Sequence, residues 1–573
     1  MRRFVHGGVR LALATVAAIM SVAAVSHEVP ALGGGFATFI VTSTSDAPDA
    51  DTGDGVCDNG LGACTLRAAI EQANATVGLD TISFSIGSGV QTIRPATALP
   101  AIMDAVVIDG TTQPGFAGKP IIELNGDAAP DYADGLFILA GGSTVRGLVV
   151  NGFNEGILLM FGGGNTVAGN FVGTNVAGTG ADGNFNGILI SESTNNTIGG
   201  TTPADRNILS GNSSAGVYVA GADGNTIMGN YVGTDYTGLV AIANDGGGVG
   251  VNNLGSGNLI GGVTQGAGNL ISGNGNGGMF LGLVAENNVV QGNLIGTDAT
   301  GSTPLPNNGP GVAISSEGNN TVGGIVPGAR NIISGNAGVG IWAAGGPDGD
   351  TLRGNSVHSN GGKGIYNPSG EPASPVVTSA GPVVGTAAPD CTIDVYSDDA
   401  DEGRIHYGFT TADAQGDWTY GGPVGGPNLT ATCTDVGGTT SEFSAPFAVG
   451  CAPDDADCEG VLDQVDNCPH YANPDQADGD GDGIGDICEP PSADVDCNGT
   501  VNSVDALKVL RSSAGLPVQQ GGVCERIGHV LLGGKFMGDI NCSGAVNSVD
   551  ALIILRMNAG LAVLIPSECP PPS

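Results

Sequence analysis

Short hydrophobic runs, each flanked by glycine and asparagine, recur at a regular spacing through the middle of the chain. NILSGN begins at Asn207, NLISGN at Asn269 and NIISGN at Asn331, so the period is 62 residues in both steps. The phrase GIxI occurs about twice in each period, which divides the period into two rungs of about 31 residues. Three short β-branched strands per rung are typical of a parallel β-helix. The pattern predicts a mainly β fold, with a right-handed parallel β-helix over residues 77–367.

The remaining positions of the repeat suit the same fold. Each rung is expected to direct Ile, Val and Leu inward and to place glycine at tight corners with positive φ. Asparagines at matching phases are expected to stack their amides in ladders along the solenoid. Longer turns are expected to project from one side. The region resembles the pectin-lyase-like superfamily, a resemblance that implies a fold but no particular activity.

A different pattern precedes the repeat. LRAAIEQAN, which begins at Leu66, predicts a helix, and Cys57 and Cys64 are close enough to close a disulfide loop before it. Residues 40–76 resemble the CSLREA domain, with CTLRAA at the signature and Ala68 where the family has Glu. The resemblance implies a helix that caps the open end of the β-helix.

Short alternating strands follow the repeat. CTIDVYSD, HYGFTT, GDWTYGG, LTATCTD and SEFSAPFAV are separated by Asp, Gly and Pro turns, which predicts a small β-sandwich over residues 372–450. Cys391 and Cys433 lie in two of these strands and could bridge the two sheets. The segment resembles immunoglobulin-like domains that follow such β-helices, which implies a spacer or a sugar-contacting module.

The ends and the composition point to export. A basic start followed by LALATVAAIMSVAAV predicts a secretory signal peptide over residues 1–26, removed near Ser26, and no later apolar stretch is long enough to span a bilayer. We therefore expect a secreted or cell-surface protein. Twelve cysteines, an even number, favour disulfides in an oxidising compartment. A net charge of -39 with 17 Lys and Arg argues against nucleic-acid binding and favours cations as partners.

Acidic residues alternate with glycine in DQVDNCPHYANPDQADGDGDGIGDICE, residues 463–489. Oxygen ligands at two-residue spacing suit calcium, although such a run could also be a solvated linker. The stretch resembles a thrombospondin type 3 repeat, which we place at residues 451–490. The resemblance implies these calcium ligands: Asp466, Asp478, Asp480, Asp482 and Asp486.

Two further loops have the ligand spacing of EF-hands but end in Asp instead of Glu. They are DVDCNGTVNSVD at 494–505 and DINCSGAVNSVD at 539–550, each followed by an apolar helical pattern. Residues 491–573 resemble a dockerin domain, which implies Ca²⁺ as the cofactor and a cohesin domain as the partner. The second loop has fewer carboxylates, so we expect weaker calcium binding there. The predicted loop ligands are Asp494, Asp496, Asn498, Thr500, Asn502, Asp505, Asp539, Asn541, Ser543, Ala545, Asn547 and Asp550.

Cysteine spacing supports this duplication, because Cys497 to Cys524 and Cys542 to Cys569 both span 27 residues. One disulfide in each half is the expected arrangement. The remaining expected disulfides are Cys57–Cys64, Cys391–Cys433, Cys451–Cys458 and Cys468–Cys488.

Catalytic residues are not evident in the rungs. Arg206 and Arg330 occupy the same repeat phase, as do Asp235 and Asp298, so both pairs are predicted to be turn residues. The aromatic residues Phe171, Tyr231 and Tyr236 could stack on sugar rings or pack under a loop. The cluster with catalytic potential lies in the non-repeated stretch PDGDTLRGNSVHSNGGKG and consists of Asp348, Asp350, Arg353, His358 and Lys363.

Two functions from different classes fit these observations. In the first, a calcium-stabilised modular protein docks through its dockerin and presents the β-helix for glycan or surface binding. In the second, the β-helix is a polysaccharide lyase or glycoside hydrolase of a cellulosome-like complex. The sparse charges of the rungs favour the first, and the dockerin resemblance favours the second.

Overall fold

The computed structural model describes residues 36–282, 284–315, 318–344, 349–449, 461–468 and 476, together with two helices at 503–513 and 548–558. Three long parallel sheets run through the central region and account for most of its regular structure. The chain visits them in turn, so each complete rung contributes one strand to each sheet, and the first rungs are incomplete. This is the parallel β-helix that the repeat predicts.

The bounds of the strands follow from the short hydrophobic runs. Sheet 1 consists of Thr38–Val41, Asp80–Phe84, Val106–Asp109, Thr144–Arg146, Thr166–Ala168, Thr197–Gly199, Thr226–Met228, Leu259–Gly261, Val289–Gln291, Thr321–Gly323 and Thr351–Arg353. Sheet 2 consists of Gln91–Ile93, Ile122–Asn125, Leu148–Asn151, Phe171–Val172, Ile208–Leu209, Tyr231–Val232, Leu270–Ile271, Leu294–Ile295, Ile332–Ser334 and Ser356–His358. Sheet 3 consists of Leu136–Ile138, Glu155–Met160, Asn186–Ser191, Ala215–Ala220, Gly247–Asn252, Met279–Leu281, Val312–Ile314, Ile341–Ala343 and Ile365–Tyr366.

The core is a continuous stack of aliphatic side chains inside the solenoid. In sheet 2, Val172 pairs with Leu209 and Leu209 with Val232, and all three side chains are fully buried. Because the side chains of a strand alternate between its two faces, the neighbouring residue in each strand points outward. Burial of these columns along the whole solenoid provides most of the hydrophobic stabilisation.

Asparagine ladders form at three corners of the rungs, as predicted. In the first ladder each side-chain amide donates to the side-chain oxygen of the next rung, for example Asn225 to Asn258 at 3.0 Å and Asn258 to Asn288 at 2.9 Å. The same oxygen also accepts the backbone N–H of the preceding Asn, so buried backbone groups at the corners are satisfied. The three ladders are Asn165–Asn196–Asn225–Asn258–Asn288–Asn320, Asn170–Asn207–Asn230–Asn269–Asn293–Asn331–Asn355 and Asn184–Asn212–Asn244–Asn274–Asn307–Asn336–Asn360.

A helix covers the first rungs. Helix α1 (Leu66–Ala75) begins after Thr65, whose side chain accepts the N–H of Ala68. Leu66 and Ile70 are buried and belong to the same hydrophobic core as the solenoid interior. The predicted disulfide Cys57–Cys64 is present just before the helix. The apolar face of α1 therefore closes the end of the core that would otherwise meet water.

Two antiparallel sheets follow the last rung and have their own hydrophobic core. The three-stranded sheet consists of Val376–Ala380, Val383–Thr386 and Asp417–Tyr420, and the four-stranded sheet of Thr392–Asp398, Ile405–Thr411, Asn428–Thr434 and Phe447–Ala448. The predicted disulfide Cys391–Cys433 is present, and both cysteines are fully buried in this core. It joins the start of one strand to a neighbouring strand of the four-stranded sheet, so the prediction that it bridges the two sheets is wrong.

Two helices are described in the acidic C-terminal region, α2 (Ser503–Ser513) and α3 (Ser548–Asn558), and they contact each other. A short 3₁₀ helix, Gly110–Thr112, lies in an early rung. None of the helices in the described part of the chain is long and apolar enough to cross a membrane.

Candidate functional site

The outward face of sheet 2 carries a column of large apolar side chains. Strand pairing aligns Val149, Phe171, Ile208, Tyr231 and Leu270 in successive rungs. Val149, Phe171 and Ile208 are buried although they lie outside the solenoid core. Residues on the outer surface of the β-helix must therefore cover these three side chains.

Two stacks of turns rise on either side of this column. On one side the turns that follow sheet 2 are hydrogen-bonded to each other, Tyr236 N to Gly178 O at 3.1 Å and Ala299 N to Gly238 O at 3.1 Å. On the other side the turns that follow sheet 1 are stacked so closely that a Cβ at Gly266 would lie 2.1 Å from Thr201 O. The two stacks form the walls of a groove whose floor is sheet 2. These longer turns project from the solenoid, as the repeat predicts.

The groove contains a cleft of about 180 Å³ at the level of Phe171. Its lining includes the cations Lys119 and Arg206, together with Tyr236 and Ile208. Lys119 comes from the loop before Ile122–Asn125, and Arg206 from the turn that precedes Ile208–Leu209. The cleft therefore combines one residue from a non-repeated loop with residues from the regular rungs.

Both cations lie on aromatic rings. Lys119 Nζ is 3.1 Å from the centre of the Tyr236 ring, and Arg206 Cζ is 4.0 Å from the centre of the Tyr231 ring. The Arg206 Nε–H also donates to Gly229 O at 3.3 Å. Neither cation forms a salt bridge with the carboxylates that the structure describes. Cation–π contacts fix the position of each charge without neutralising it, so both remain available to an anionic ligand.

A group of carboxylates lies next along the groove. Glu123 pairs in register with Val149, and its two oxygens accept Thr92 Oγ1 at 2.6 Å and Asn151 Nδ2 at 3.1 Å. Partial burial raises the pKa of Asp182, and the neighbouring charges of Asp127 and Glu123 raise it further.

The sequence-predicted cluster at the end of the β-helix forms a junction with the sandwich. Arg353 contacts Asp394 through two hydrogen bonds, Nε to Oδ2 at 2.5 Å and Nη2 to Oδ1 at 2.9 Å. Lys363 forms an ion pair with Glu442 of the sandwich. Asp350 continues the first asparagine ladder by accepting the Asn320 side-chain amide at 3.0 Å.

The structure does not bring this cluster together as a catalytic site. His358 Nδ1 is 3.2 Å from Ser334 Oγ, and burial, followed by the charges of Arg404 and Arg330, lowers its pKa to about 4. The imidazole is therefore neutral near neutral pH. Asp348 lies outside the described residues. The charged residues of this stretch therefore join the β-helix to the sandwich.

The phase-matched acids have the turn role that was predicted. Asp235 Oδ1 accepts the backbone N–H groups of Leu239 and Val240, both at 3.2 Å. Asp298 accepts the N–H and the hydroxyl of Thr300 in the equivalent turn. These carboxylates are committed to their own turns. Lys119 was not predicted, because it lies in a loop outside the regular repeat and no motif distinguishes it.

Few of the predicted calcium ligands lie in the described part of the chain. Asp466 Oδ1 accepts Cys468 N at 2.7 Å and Gln476 Nε2 at 2.9 Å, while its Oδ2 is buried with no hydrogen-bond partner among the described residues. Cys468 is disulfide-bonded. The backbones of Asp505 and Asp550 lie in the first turns of α2 and α3. The other predicted ligands, and the predicted partner Cys488, lie outside the described residues: Asp478, Asp480, Asp482, Asp486, Asp494, Asp496, Asn498, Thr500, Asn502, Asp539, Asn541, Ser543, Ala545 and Asn547.

Comparison with known proteins gives one partial family match and several solved structures of low similarity. Residues 117–260 match the family model described as "Periplasmic copper-binding protein (NosD)". Among solved structures, the Dettilon tailspike protein is similar at 15% identity and a TM-score of 0.28, with 68% of this chain and 80% of that chain covered. The A-module of the Azotobacter vinelandii mannuronan C-5 epimerase AlgE4 is similar at 15% identity and a TM-score of 0.21, with 55% and 88% covered. No curated protein matches the chain.

Proposed function

We propose that the protein is a secreted or cell-surface β-helix that binds an acidic polysaccharide in the groove on sheet 2. The observation that carries the proposal is the pair of cations, Lys119 and Arg206, held on tyrosine rings in a cleft between two walls of turns. Uronic-acid carboxylates can form charge-assisted hydrogen bonds with both cations. The apolar face of a sugar ring can pack on Tyr231, the member of the column that is partly exposed.

The net negative charge of the chain is expected to make the binding of an acidic polysaccharide selective for the groove. A protein with a net charge of -39 repels polyanions everywhere except where cations are concentrated. An acidic polysaccharide is therefore expected to bind at the groove and to be excluded from the remaining surface. The binding is expected to weaken as ionic strength rises.

Direct binding measurements test the groove. We expect polygalacturonate to bind the whole protein, and Lys119→Gln or Arg206→Gln to reduce its affinity by about tenfold each, since a lost charge-assisted hydrogen bond costs about 1.5 kcal/mol. Arg330→Gln is the matched control, because Arg330 has the same repeat phase as Arg206 but does not line the cleft. Equal binding by Arg206→Gln and Arg330→Gln would exclude the groove as the site.

We also propose that the C-terminal region, residues 451–573, binds calcium and docks on a cohesin domain. The loop spacing at 494–505 and 539–550, the contact between α2 and α3, and the unpartnered Oδ2 of Asp466 support this proposal. Calorimetry of the whole protein with and without chelator tests calcium binding. Absence of calcium-dependent retention on an immobilised cohesin panel would contradict the docking proposal.

Copper does not fit the residues that match the NosD family model. Copper sites in proteins use imidazole, thiolate and thioether ligands. Residues 117–260 contain no His or Cys, and their two methionines are Met160, buried beside Leu158, and Met228. Within the described residues, no group of three or more His, Cys, Asp and Glu side chains is arranged to hold a metal. We therefore do not propose copper binding.

Polysaccharide cleavage is the second candidate function, and one observation favours it. Asp182 has a raised pKa beside the carboxylates of Asp127 and Glu123, at the continuation of the groove. Glycosidic-bond hydrolysis uses a pair of carboxyl groups, one of which has a raised pKa and acts as the general acid. Release of reducing ends from acidic polysaccharides, abolished by Asp182→Asn, would establish this function. Binding without turnover would leave the groove as a recognition site.

A further inference from the structure

A loop of the sandwich, residues 398–402, lies against the last rung of the β-helix. The neighbouring Gly403 forms two backbone hydrogen bonds with Val357, both of 2.9 Å. The backbone N–H of Asn360, the last member of the third ladder, lies 3.4 Å from Glu402 Oε2. The Glu402 carbonyl accepts Thr430 Oγ1 at 2.6 Å. The loop is therefore hydrogen-bonded both to the β-helix and to the rest of the sandwich.

Two carboxylates of this loop are buried and incompletely satisfied. The exposed fraction is 7% for Asp398 and 5% for Glu402. Asp398 Oδ1 accepts the N–H of Asp399 at 2.6 Å, but Asp398 Oδ2 has no hydrogen-bond partner within the described part of the chain. The same is true of Glu402 Oε1. A buried carboxylate oxygen without a partner is costly in a folded protein.

The two carboxylates also repel each other. Both carboxylates belong to one loop of five residues and are buried, so water screens their charges poorly. No cation in the described regions lies within salt-bridge distance of either carboxylate. The chain thus buries two acids together without supplying a side-chain counter-charge.

We propose that Asp398 and Glu402 bind a calcium ion at the junction between the β-helix and the sandwich. The unpartnered Oδ2 of Asp398 and Oε1 of Glu402 are hard oxygen ligands, which suit Ca²⁺ better than the softer transition metals. No third acidic side chain of the described residues converges on them. The remaining ligands would have to be backbone carbonyl groups and water, which calcium sites commonly include.

A bound ion would stabilise the junction in a specific way. It would neutralise the repulsion between the two carboxylates and satisfy both buried oxygens. Because Glu402 contacts Asn360, the ion would tie the sandwich to the end of the third asparagine ladder. This site is separate from the predicted calcium ligands of residues 466–550 and from the groove on sheet 2.

Equilibrium dialysis of the whole protein with radioactive calcium tests the site. We expect Asp398→Asn/Glu402→Gln to bind one calcium ion fewer per chain than the unmodified protein. The matched control is Glu371→Gln/Asp417→Asn, which removes the same two charges from exposed positions of the linker and the sandwich. We expect that control to bind as many ions as the unmodified protein. Equal stoichiometry in the two double variants would overturn the proposal.

A second measurement needs no variant and resolves the site from the C-terminal ligands. Hydrogen exchange of the unmodified protein is followed with calcium and with chelator. Calcium is expected to slow exchange at least fivefold in peptides that cover 356–361 and 398–405, the two segments that meet at the junction. Unchanged exchange in both segments, with calcium bound elsewhere in the chain, would also overturn the proposal.

Discussion

The two ends of the β-helix are closed by different chemistry. At the N-terminal end, α1 packs Leu66 and Ile70 on the solenoid core, and Arg67 of the same helix forms an ion pair with Asp46. At the C-terminal end, the sandwich approaches the last rung through charged and polar groups, with Arg353 paired to the fully buried Asp394. His406 Nε2 also lies 2.9 Å from Asp394 Oδ1. The N-terminal cap shares the hydrophobic core of the solenoid, whereas the sandwich has its own core and meets the last rung as a separate domain.

The difference has consequences for stability and for sequence interpretation. Apolar contacts are non-directional, so the N-terminal cap should tolerate modest changes in side-chain shape. A buried ion pair contributes little beyond the cost of burying it, but removal of one partner leaves an uncompensated charge. The C-terminal cap should therefore be more sensitive to the loss of Arg353 than the N-terminal cap is to changes of shape at its apolar positions.

Removal of the junction arginine should have the largest effect. Arg353→Ala removes both guanidinium hydrogen bonds from the fully buried Asp394, so the free energy of unfolding should fall by about 3 to 5 kcal/mol. Denaturant unfolding measures this loss. Lys363→Ala is the control, since the Lys363 side chain is 57% exposed and its pair with Glu442 should contribute less than about 1 kcal/mol. Similar losses in both variants would remove the distinction between the two pairs.

A cavity in the N-terminal cap should have the next largest effect. Ile70→Ala removes a buried side chain from the face of α1 that packs on the core, which should cost about 2 to 4 kcal/mol. Val77→Ala is the control, because Val77 is exposed and should change stability by less than about 0.5 kcal/mol. Thermal unfolding distinguishes the two. A small loss for Ile70→Ala would mean that α1 does not close the core.

An interruption of a ladder between the two ends should cost less. Asn258→Ala removes the acceptor of Asn225 and the donor to Asn288, and the partly unsatisfied amides should cost about 2 kcal/mol. The control is Asn308→Ala, at an exposed position next to the third ladder. Denaturant unfolding should show almost no change for Asn308→Ala. A neutral Asn258→Ala would show that the ladders add little to the hydrophobic core.

Acid should destabilise the C-terminal end of the β-helix, and this should be the smallest of the four effects. The pKa of His358 is about 4 in the folded protein, below its ordinary value near 6.5, so the unfolded chain binds its proton first as the pH falls. The stability that the neutral imidazole contributes is present above pH 6.5 and is lost as the pH falls through 4. The full shift of the pKa corresponds to about 3.4 kcal/mol, but His358 is only partly buried and solvent screens its charge, so about 1 to 2 kcal/mol should be lost.

Melting temperatures of the unmodified protein and of His358→Gln between pH 7 and pH 4 measure this contribution. The unmodified protein should lose more stability over that range than the variant. Parallel pH profiles would contradict the assignment of the effect to His358.

The sequence predicted those parts of the fold that depend on local repetition. The 62-residue period fixes the phase of strands such as Ile208–Leu209 and Leu270–Ile271, and the same phase places Asn207 and Asn269 in one ladder. The Cys57–Cys64 disulfide was predictable because the cysteines are seven residues apart and precede a helix. Short sequence separation makes all of these contacts visible in the pattern.

The junction and the groove could not be predicted in the same way. Arg353 meets Asp394 across 41 residues and a domain boundary, so the stretch that contains Arg353 has the composition of a catalytic cluster when taken alone. Lys119 reaches the cleft from a loop outside the repeat, and only the folded rungs bring it near Arg206. The outward phase of Phe171 and Tyr231 was the available signal, since aromatic residues at solvent-facing positions suggest a covered or binding surface.

The central claim is that the charged stretch at the end of the β-helix is a structural junction that closes the solenoid. Hydrogen exchange of Arg353→Ala tests it most directly. The account predicts faster exchange than in the unmodified protein in Thr351–Arg353, Ser356–His358 and Thr392–Asp398, with exchange in α1 unchanged. Unchanged exchange in these three strands would contradict the account.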